Sequence, residues 1–428
     1  MKQKQLKLRI PEIFRKKLGE VKIDDSRIEE IHSQAENIRK KLNESCRKYR
    51  VKADIFIGGS LAKRTIVGNG KLDVDIYVRF HKESNSEIFS KIVKNVDKTV
   101  KIIHGSRDYA QIDGDNLLFE IIPVLKIKSP KEANNVTDLS YFHVNYVLGK
   151  IKKKKKLVDE IILAKTFTHA ANCYGAESYI RGFSGYAIEL LMIHYGSLLK
   201  FIETIANSKE RIMVDTEKHY KKGAAMREIN EAKLSSPIIL VDPTFRERNA
   251  LASLSKETYE RFKDYCTKFL KNPSEKFFEQ KKINPENIRM NAEKKGRDYG
   301  VIEVGTNKQA GDIAGTKLLK FARLFIEEMK RYFIEPEINF EYDEEQRGKI
   351  YFTGKSIDKK IIRGPPIDKI AGCEMFRKKY GKKVRERRGI LEAEIEVDLS
   401  IKKSLEEFKK IHSRTMKEMG ITELRLLG

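Results

Sequence analysis

The chain has 428 residues, of which 87 are basic and 62 are acidic, and its formal net charge is +25 at neutral pH. This excess of positive charge predicts a polyanionic partner, with nucleic acid the first candidate and an anionic membrane surface the second. Hydrophobic residues make up 40% of the sequence, which is enough to form folded cores. Since no apolar run reaches the ~18 residues that a membrane-spanning helix needs, we expect no transmembrane segment.

The cysteines are Cys46, Cys173, Cys266 and Cys373. None of them belongs to a Cys-x-x-Cys pair, so the sequence predicts neither a zinc ribbon nor a disulfide framework. The first residues are charged and lack the apolar core of a secretory signal. Reduced thiols and the lack of a visible signal together predict a cytoplasmic protein.

The first third of the chain predicts a small α+β domain that extends to about residue 130. Asp24 and Ser26 can cap a helix whose apolar residues recur every three or four positions and which ends near Tyr49. The segments that follow are predicted as strand 54–57, strand 72–80, helix 87–96, strand 101–104, and a hairpin of 110–112 and 117–125.

The remainder of the chain is predicted to be largely helical and then mixed. The predicted segments are a helical region 147–205, helices 255–270 and 316–333, short strands 349–352, 360–362 and 391–397, and a final helix 401–416. Five consecutive lysines, Lys152–Lys156, fit either a solvated helix start or contact with an RNA backbone.

Chemistry is concentrated where a glycine turn meets two carboxylates. Gly58-Gly59-Ser60 follows a short apolar run, and Asp73 and Asp75 lie two residues apart on the next predicted strand. Residues at this spacing face the same side of a strand, so the two carboxylates repel each other unless a cation lies between them. Mg²⁺ is the usual cation for oxygen ligands, so the pattern predicts metal-dependent chemistry on a nucleoside triphosphate.

A third carboxylate would complete a site for two metal ions, and Glu120 is the best candidate. It lies in the apolar run Leu117–Pro123, where a lone acid is costly to bury without a cation or a strong partner. Asp113 and Asp115 compete for this role, but their surroundings indicate a hairpin turn. Two Mg²⁺ ions held by Asp73, Asp75 and Glu120 would activate an attacking hydroxyl and neutralise the leaving pyrophosphate.

The glycine turn itself suits phosphate binding. Glycines allow backbone N–H groups to approach phosphate oxygens, and Ser60 adds a hydroxyl donor. Lys63, three residues later, can reach the same phosphates. Together with the aspartates, the turn therefore predicts a nucleotidyltransferase-type site.

These residues resemble the signature of the DNA polymerase β-type nucleotidyltransferase superfamily. Further motifs narrow the resemblance to the archaeal, class I CCA-adding enzymes, which are tRNA nucleotidyltransferases. The similarity is strong over about residues 30–265 and thin beyond them. The motifs are Tyr174–Glu177, Arg181–Tyr186, Glu189–Leu191, His194–Ser197, Val241–Pro243, Arg248–Ala250 and, more weakly, Gly364–Pro366.

The resemblance implies an α+β protein with a polymerase β-like nucleotidyltransferase head, a helical neck, and an RNA-binding α+β body and tail. The corresponding ranges would be 1–145, 146–256 and 257–428. It implies Mg²⁺-dependent, template-independent addition of C, C and A from CTP and ATP to the 3′ end of tRNA, with release of pyrophosphate. It leaves a homodimer open. The alternatives are another polymerase β-type RNA nucleotidyltransferase, such as a poly(A) polymerase, and a non-catalytic RNA-binding relative.

The resemblance also assigns roles to individual residues. Asp73, Asp75 and Glu120 align with the metal-binding carboxylates, although aspartate is usual at the position of Glu120. Arg248 aligns with an arginine that reads the edge of the incoming base. The residues that align with nucleotide contacts are Gly59, Ser60, Lys63, His143, Lys165 and Tyr174.

The residues by themselves leave other interpretations open for three of these positions. Tyr174 could pack against Phe183, His143 could be an ordinary core histidine, and Arg248 could form a surface salt bridge. For tRNA binding, the strongest basic patch in the second half of the chain comprises Arg377–Lys379, Lys382, Lys383, and 385–388.

Overall fold

The computed structural model describes residues 2–68, 70–82, 86–103, 107–221, 229, 234–280, 282–357, 359–396 and 400–427. The chain divides into two compact units, Met1–Lys281 and Lys282–Gly428, called here the first and second units. The predicted three-part division of head, neck, and body with tail stays a prediction. Within the described ranges, no helix is both long and apolar enough to cross a membrane.

The first unit begins with two long helices and continues into a mixed sheet. Its elements up to residue 125 are α1 (Lys2–Val21), α2 (Asp25–Lys48), β1 (Ala53–Ile57), α3 (Gly59–Ala62), β2 (Leu72–Phe80), α4 (Ser86–Val96), β3 (Lys101–Ile103), β4 (Tyr109–Asp113) and β5 (Leu117–Leu125). Helix α2 confirms the predicted amphipathic helix, since Ile28, Ile31, Ala35 and Leu42 are all buried. The predicted strand end at His104 lies outside the described residues.

The sheet order is β1-β2-β5-β4-β3, as far as these strands are described. Strands β2 and β5 pair in parallel, whereas β1 pairs with β2, and β4 with β5, in antiparallel orientation. Along β2, Val74, Ile76 and Val78 are fully buried under the helices. Asp73 and Asp75 therefore lie on the opposite face of the strand, because successive side chains alternate.

The rest of the first unit is mainly helical. Its elements are α5 (Ser140–Lys153), α6 (Leu157–Ala170), α7 (Gly185–Tyr195), α8 (Leu198–Asn207), β6 (Ile212–Val214), β7 (Ile238–Asp242), β8 (Phe245–Asn249) and α9 (Lys256–Lys271). Phe167, Phe183, Phe201 and Phe262 are fully buried and join α6, α8 and α9 in one core. The run Lys152–Lys156 is exposed, as the solvated alternative predicts, but it lies at the end of α5 and in the link that leads to the start of α6.

The second unit contains two small sheets with helices. Its elements are α10 (Pro285–Lys294), β9 (Asp298–Thr306), α11 (Asp312–Met329), β10 (Phe333–Tyr342), β11 (Arg347–Ser356), β12 (Lys359–Pro366), α12 (Ile370–Tyr380), β13 (Val384–Arg387), β14 (Ile390–Glu396), α13 (Ile401–Ile411), α14 (Ser413–Met419) and β15 (Ile421–Leu426). The sheet orders are β10-β11-β9-β15 and β12-β14-β13 within the described strands. This mixture of helices and sheets confirms the predicted α+β class.

Two predicted helices of the second unit have different ends in the structure. The helix predicted to reach Phe333 ends at Met329, because Phe333 is needed as a buried residue of β10, where its ring packs on Phe352 at 4.9 Å. The helix predicted over 401–416 breaks at His412, which leaves helical geometry at the end of α13 and contacts Glu328 of α11. The predicted strand end at Val397 lies outside the described residues.

Candidate active site

Parallel pairing of β2 and β5 brings two of the predicted carboxylates together. Asp75 lies directly opposite Glu120 in the register, and Asp73 lies opposite Leu118. Cross-strand partners project to the same face, so Glu120 shares the face of Asp73 and Asp75. The Gln111 amide on neighbouring β4 donates a hydrogen bond of 2.9 Å to Glu120 Oε1.

The negative charges of Asp73, Asp75 and Glu120 repel one another when no cation is bound. Burial raises the pKa of Glu120 to about 7, and the negative charges of Asp75 and Asp73 add to this shift against the Gln111 hydrogen bond. Burial also raises the pKa of Asp75, and Asp73 reinforces the shift while Lys63 and Lys165 oppose it. A carboxyl group in such surroundings gains from a bound proton or a bound cation.

The donor set fits a hard cation, but it is not a preformed metal centre. Among the described residues, no group of three or more His, Cys, Asp or Glu side chains that could hold a metal ion is found. Carboxylate oxygens are nevertheless the ligands that Mg²⁺ prefers. The pKa values of Asp75 and Glu120 are raised, so a bound cation would stabilise their ionised forms. The assignment of Mg²⁺ to Asp73, Asp75 and Glu120 therefore stays a prediction.

Asp113, the main competitor of Glu120, lies in a different environment. Its carboxylate is half exposed at the end of β4 and forms ion pairs with Lys71 and Lys101. Hydrogen bonds from both lysines lower the pKa of Asp113. Asp113 is thus already neutralised by two cations on the surface, which favours Glu120 for the third position.

The glycine turn packs directly against Asp75. The backbone N–H of Gly58 donates to the carbonyl oxygen of Asp75 at 2.9 Å. Gly59 has a φ of +56°, and a Cβ atom on it would lie 1.6 Å from Asp75 Oδ2. Glycine is required at residue 59 for both reasons, and its absent side chain leaves the space that the Asp75 carboxylate occupies.

Two predicted phosphate-binding lysines meet at a buried glutamate. Lys63 Nζ lies 2.7 Å from Glu189 Oε2, and Lys165 Nζ lies 3.2 Å from Glu189 Oε1. Lys165 also donates to the Thr65 hydroxyl at 3.1 Å. Burial lowers the pKa of Lys165 although Glu189 opposes the shift, and the two lysines hold the pKa of buried Glu189 below its ordinary value.

His143 and Arg248 likewise meet at one buried carboxylate. His143 Nε2 lies 3.1 Å, and Arg248 Nη1 2.7 Å, from Asp242 Oδ2. The Tyr186 hydroxyl donates to Asp242 Oδ1 at 3.0 Å, and its ring stacks on the His143 ring at 3.9 Å. Arg248 is thus paired with a buried acid, whereas the alternative interpretation placed its salt bridge on the surface.

Tyr174 has a more specific setting than simple packing on Phe183. The two residues do form an isolated β-bridge, but the Tyr174 ring stacks on His169 with centroids 3.8 Å apart. A Cβ atom on Gly185 would lie 2.8 Å from the Tyr174 hydroxyl, so the glycine leaves room for it. Burial raises the pKa of Tyr174, and the negative charges of Glu189, Glu177, Asp75 and Asp73 add to the shift.

Sequence reasoning did not assign a role to the two acids that organise these clusters, Glu189 and Asp242. A signal was present, because each is a lone acid in an apolar segment, α7 for Glu189 and β7 for Asp242. The cost of burying an isolated charge, which singled out Glu120, applies equally to both.

Two protein-family models match the first unit. A model described as tRNA nucleotidyltransferase, second domain, matches residues 159–279. A model described as Second Messenger Oligonucleotide or Dinucleotide Synthetase domain matches residues 8–140. The first match includes the buried acids Glu189 and Asp242, and the second includes Asp73, Asp75 and Glu120.

Curated relatives from archaea match more of the chain. A CCA-adding enzyme from Nanoarchaeum equitans is 41% identical over 211 residues, which are 48% of this chain and 52% of the relative. The chain therefore spans about half the length of that relative. A CCA-adding enzyme from Methanocaldococcus jannaschii is 28% identical over 402 residues, 88% of this chain and 85% of the relative.

Among solved structures, the Cid1 poly(U) polymerase with MgGTP bound has a TM-score of 0.50 and 14% sequence identity. The match covers 63% of this chain and 98% of that chain. At this identity the likeness shows the fold alone. The relatives and family models together confirm the resemblance that the sequence motifs indicated.

Proposed function

We propose that this chain, which resembles the archaeal CCA-adding enzymes, adds C, C and A from CTP and ATP to the 3′ end of tRNA and releases pyrophosphate. The observation that supports this most directly is that acids and buried lysines meet at one place. Lys63 and Lys165 are close enough to Asp75 to oppose the rise of its pKa. Acids suited to a cation thus lie beside cations suited to a triphosphate.

In the proposed reaction, Asp73, Asp75 and Glu120 would hold Mg²⁺, which would help the tRNA 3′ hydroxyl to attack and the pyrophosphate to leave. Lys63 and Lys165 supply positive charge to the triphosphate. The glycine turn, with Gly59 and Ser60, would offer backbone N–H groups and a hydroxyl to the phosphates.

His143, Tyr174 and Arg248 complete the proposed nucleotide site. Burial lowers the pKa of His143, and its Nε2 atom lies 3.1 Å from Asp242 Oδ2. The Arg248 guanidinium has further N–H donors beyond the one that Asp242 takes, and these can pair with acceptors on a base edge.

The proposed tRNA contact lies on the second unit. Arg385, Arg387 and Arg388 are exposed on and beside β13, and the rest of the basic patch is on and after α12. Contacts with phosphates and with the shape of the minor groove are the usual way in which proteins bind duplex RNA.

The experiment is nucleotide addition to tRNA transcripts that lack the CCA end. We expect CTP alone to add two residues, ATP alone to add none to this end, and both together to complete CCA, as read by sequencing the products. Long tracts of A without C would instead favour a poly(A) polymerase. If the wild type transfers no more nucleotide than the Asp73→Ala, Asp75→Ala double variant, the non-catalytic alternative holds.

A further inference from the structure

Asp242 accepts an unusual number of hydrogen bonds for one buried carboxylate. Its Oδ2 atom accepts from His143 and Arg248 at 3.1 and 2.7 Å. Its Oδ1 atom accepts from the Tyr186 hydroxyl at 3.0 Å and from the Thr244 backbone N–H and hydroxyl at 2.9 and 2.8 Å. The side chain has no exposed surface, so its partners satisfy it without solvent.

These contacts connect elements that are far apart in the sequence. Asp242 ends β7, His143 is in α5, Tyr186 is in the first turn of α7, and Arg248 is on the paired strand β8. Although burial opposes it, the hydrogen bond from His143 and the charge of Arg248 hold the pKa of Asp242 below its ordinary value. The carboxylate is therefore ionised, and it restrains an arginine and an imidazole at the same time.

Restraint of Arg248 matters because an arginine fork reads a base only when its orientation is fixed. A guanidinium bound at one nitrogen by a buried acid loses much of its rotational freedom before any ligand arrives. The Arg248 guanidinium lies over the Tyr186 ring, 6.0 Å from its centroid, and the same ring stacks on His143. Tyr186 therefore restricts the movement of both side chains.

We propose that Asp242 is a positioning residue that sets nucleotide selectivity by holding Arg248 and His143 on one carboxylate. The inference rests on the proposed function, in which Arg248 contacts the base and His143 the triphosphate. Asp242 itself is fully buried and touches neither. It acts by fixing the distance between a residue at the base end and a residue at the phosphate end of the nucleotide.

A purely structural role is the competing explanation, since the bonds from Thr244 to Oδ1 also stabilise the turn between β7 and β8. Selectivity separates the two roles. The measurement is kcat/KM for CTP and for UTP in addition to tRNA that lacks CCA, expressed as the CTP/UTP ratio. The variants are Asp242→Asn, Thr244→Ala and Asp138→Asn.

Asp242→Asn should lower the CTP/UTP ratio about tenfold or more. The charged hydrogen bond from Arg248 is lost, and the new amide N–H group faces side chains that donated to the carboxylate. Thr244→Ala removes the hydroxyl bond of the turn and should leave the ratio unchanged. Asp138→Asn is the matched control. Asp138 is also buried and ionised, and it accepts from the backbone N–H groups of Leu125 and Asn135 at 2.7 and 3.0 Å.

An unchanged ratio in Asp242→Asn, or an equal fall in Asp138→Asn or Thr244→Ala, would overturn the inference. If Asp242→Asn does not fold, Asp242→Glu keeps the charge but moves the carboxylate, and the same fall in the ratio is expected. An unchanged ratio in that variant also overturns the inference. A wild type that incorporates neither CTP nor ATP would instead refute the proposed function, so the two failures are distinguishable.

Discussion

Asp75 and Glu120 lie opposite each other on the parallel strands β2 and β5, and each carboxyl group is driven toward its protonated form by burial and by its acidic neighbours. The protein alone therefore bears a cost at this site, which a cation would relieve. Carboxylates that are placed to bind a cation thus lower the stability of the protein when the cation is absent.

Glu120→Gln should stabilise the metal-free protein at neutral and higher pH. The folded-state pKa of Glu120, about 7, is above the ordinary value of 4.5, so the protonation that favours folding is complete below pH 4.5 and is lost as pH rises through 7. Glutamine never ionises, so the variant should be more stable by about 3 kcal/mol at pH 8 and show little advantage near pH 4.5. The measurement is thermal unfolding of both proteins in a chelator between pH 4.5 and pH 8. A stability difference between Glu120→Gln and the wild type that does not grow with pH would contradict the prediction.

Magnesium should stabilise the wild type, and more strongly at pH 8 than at pH 6, because protons compete with the cation for Glu120 and Asp75. The rise in melting temperature on adding MgCl₂ should be lost in Glu120→Gln. Asp113→Asn is the control, since that carboxylate is bound by Lys71 and Lys101 at the surface. Equal responses in both variants would place the cation elsewhere.

Gly59→Ala should abolish nucleotide transfer and lower stability. The new Cβ atom would overlap with Asp75 Oδ2, and the positive φ alone costs about 1–2 kcal/mol for a residue with a side chain. Gly70→Ala is matched to it, because Gly70 also has a positive φ, of +102°, yet a Cβ atom there would meet no described residue within 4 Å beyond its chain neighbours. Activity should survive in Gly70→Ala, and its loss in both variants would mean that backbone strain alone explains the effect.

Glu189→Gln should destabilise the first unit by about 3 kcal/mol, because two buried ammonium groups lose their shared counter-charge. Adding Lys165→Met should restore part of the loss, so the two changes should be non-additive in thermal unfolding. Glu160→Gln serves as control, since that buried acid accepts a backbone N–H from Leu198 at 2.8 Å, a bond that an amide oxygen also accepts. Strict additivity would show that the lysines do not depend on Glu189.

Replacing Arg385, Arg387 and Arg388 by alanine should weaken tRNA binding and reduce its dependence on salt. Each phosphate contact adds about 0.7–0.9 to the slope of log affinity against log salt, so the triple variant should lose a slope of about 2. Replacing Lys152, Lys153 and Lys155 tests the other basic segment, which is exposed at the end of α5. A slope that neither change alters would contradict a phosphate-binding role for both.

Much of the local structure could be predicted from the sequence because it depends on periodicity and capping. The bounds of β2 agree with the prediction at both ends, and α9 begins after the predicted cap Ser255, whose side chain accepts from the Thr258 N–H. The errors occurred where a distant partner decides the outcome. Phe333 fits the helical pattern of α11, but its burial against Phe352 of β11 places it in a strand.

The sequence by itself determined which residues are proposed to carry the chemistry: the glycine turn, the aspartate pair, Glu120, and the charged residues that match a known family. Only the tertiary structure decided how they are organised. It pairs β2 with β5 in parallel and so sets Glu120 opposite Asp75. It also brings Lys63 to Glu189, 126 positions away, and His143 to Asp242, 99 positions away. Such contacts depend on packing between elements, and no local pattern of residues encodes their distances.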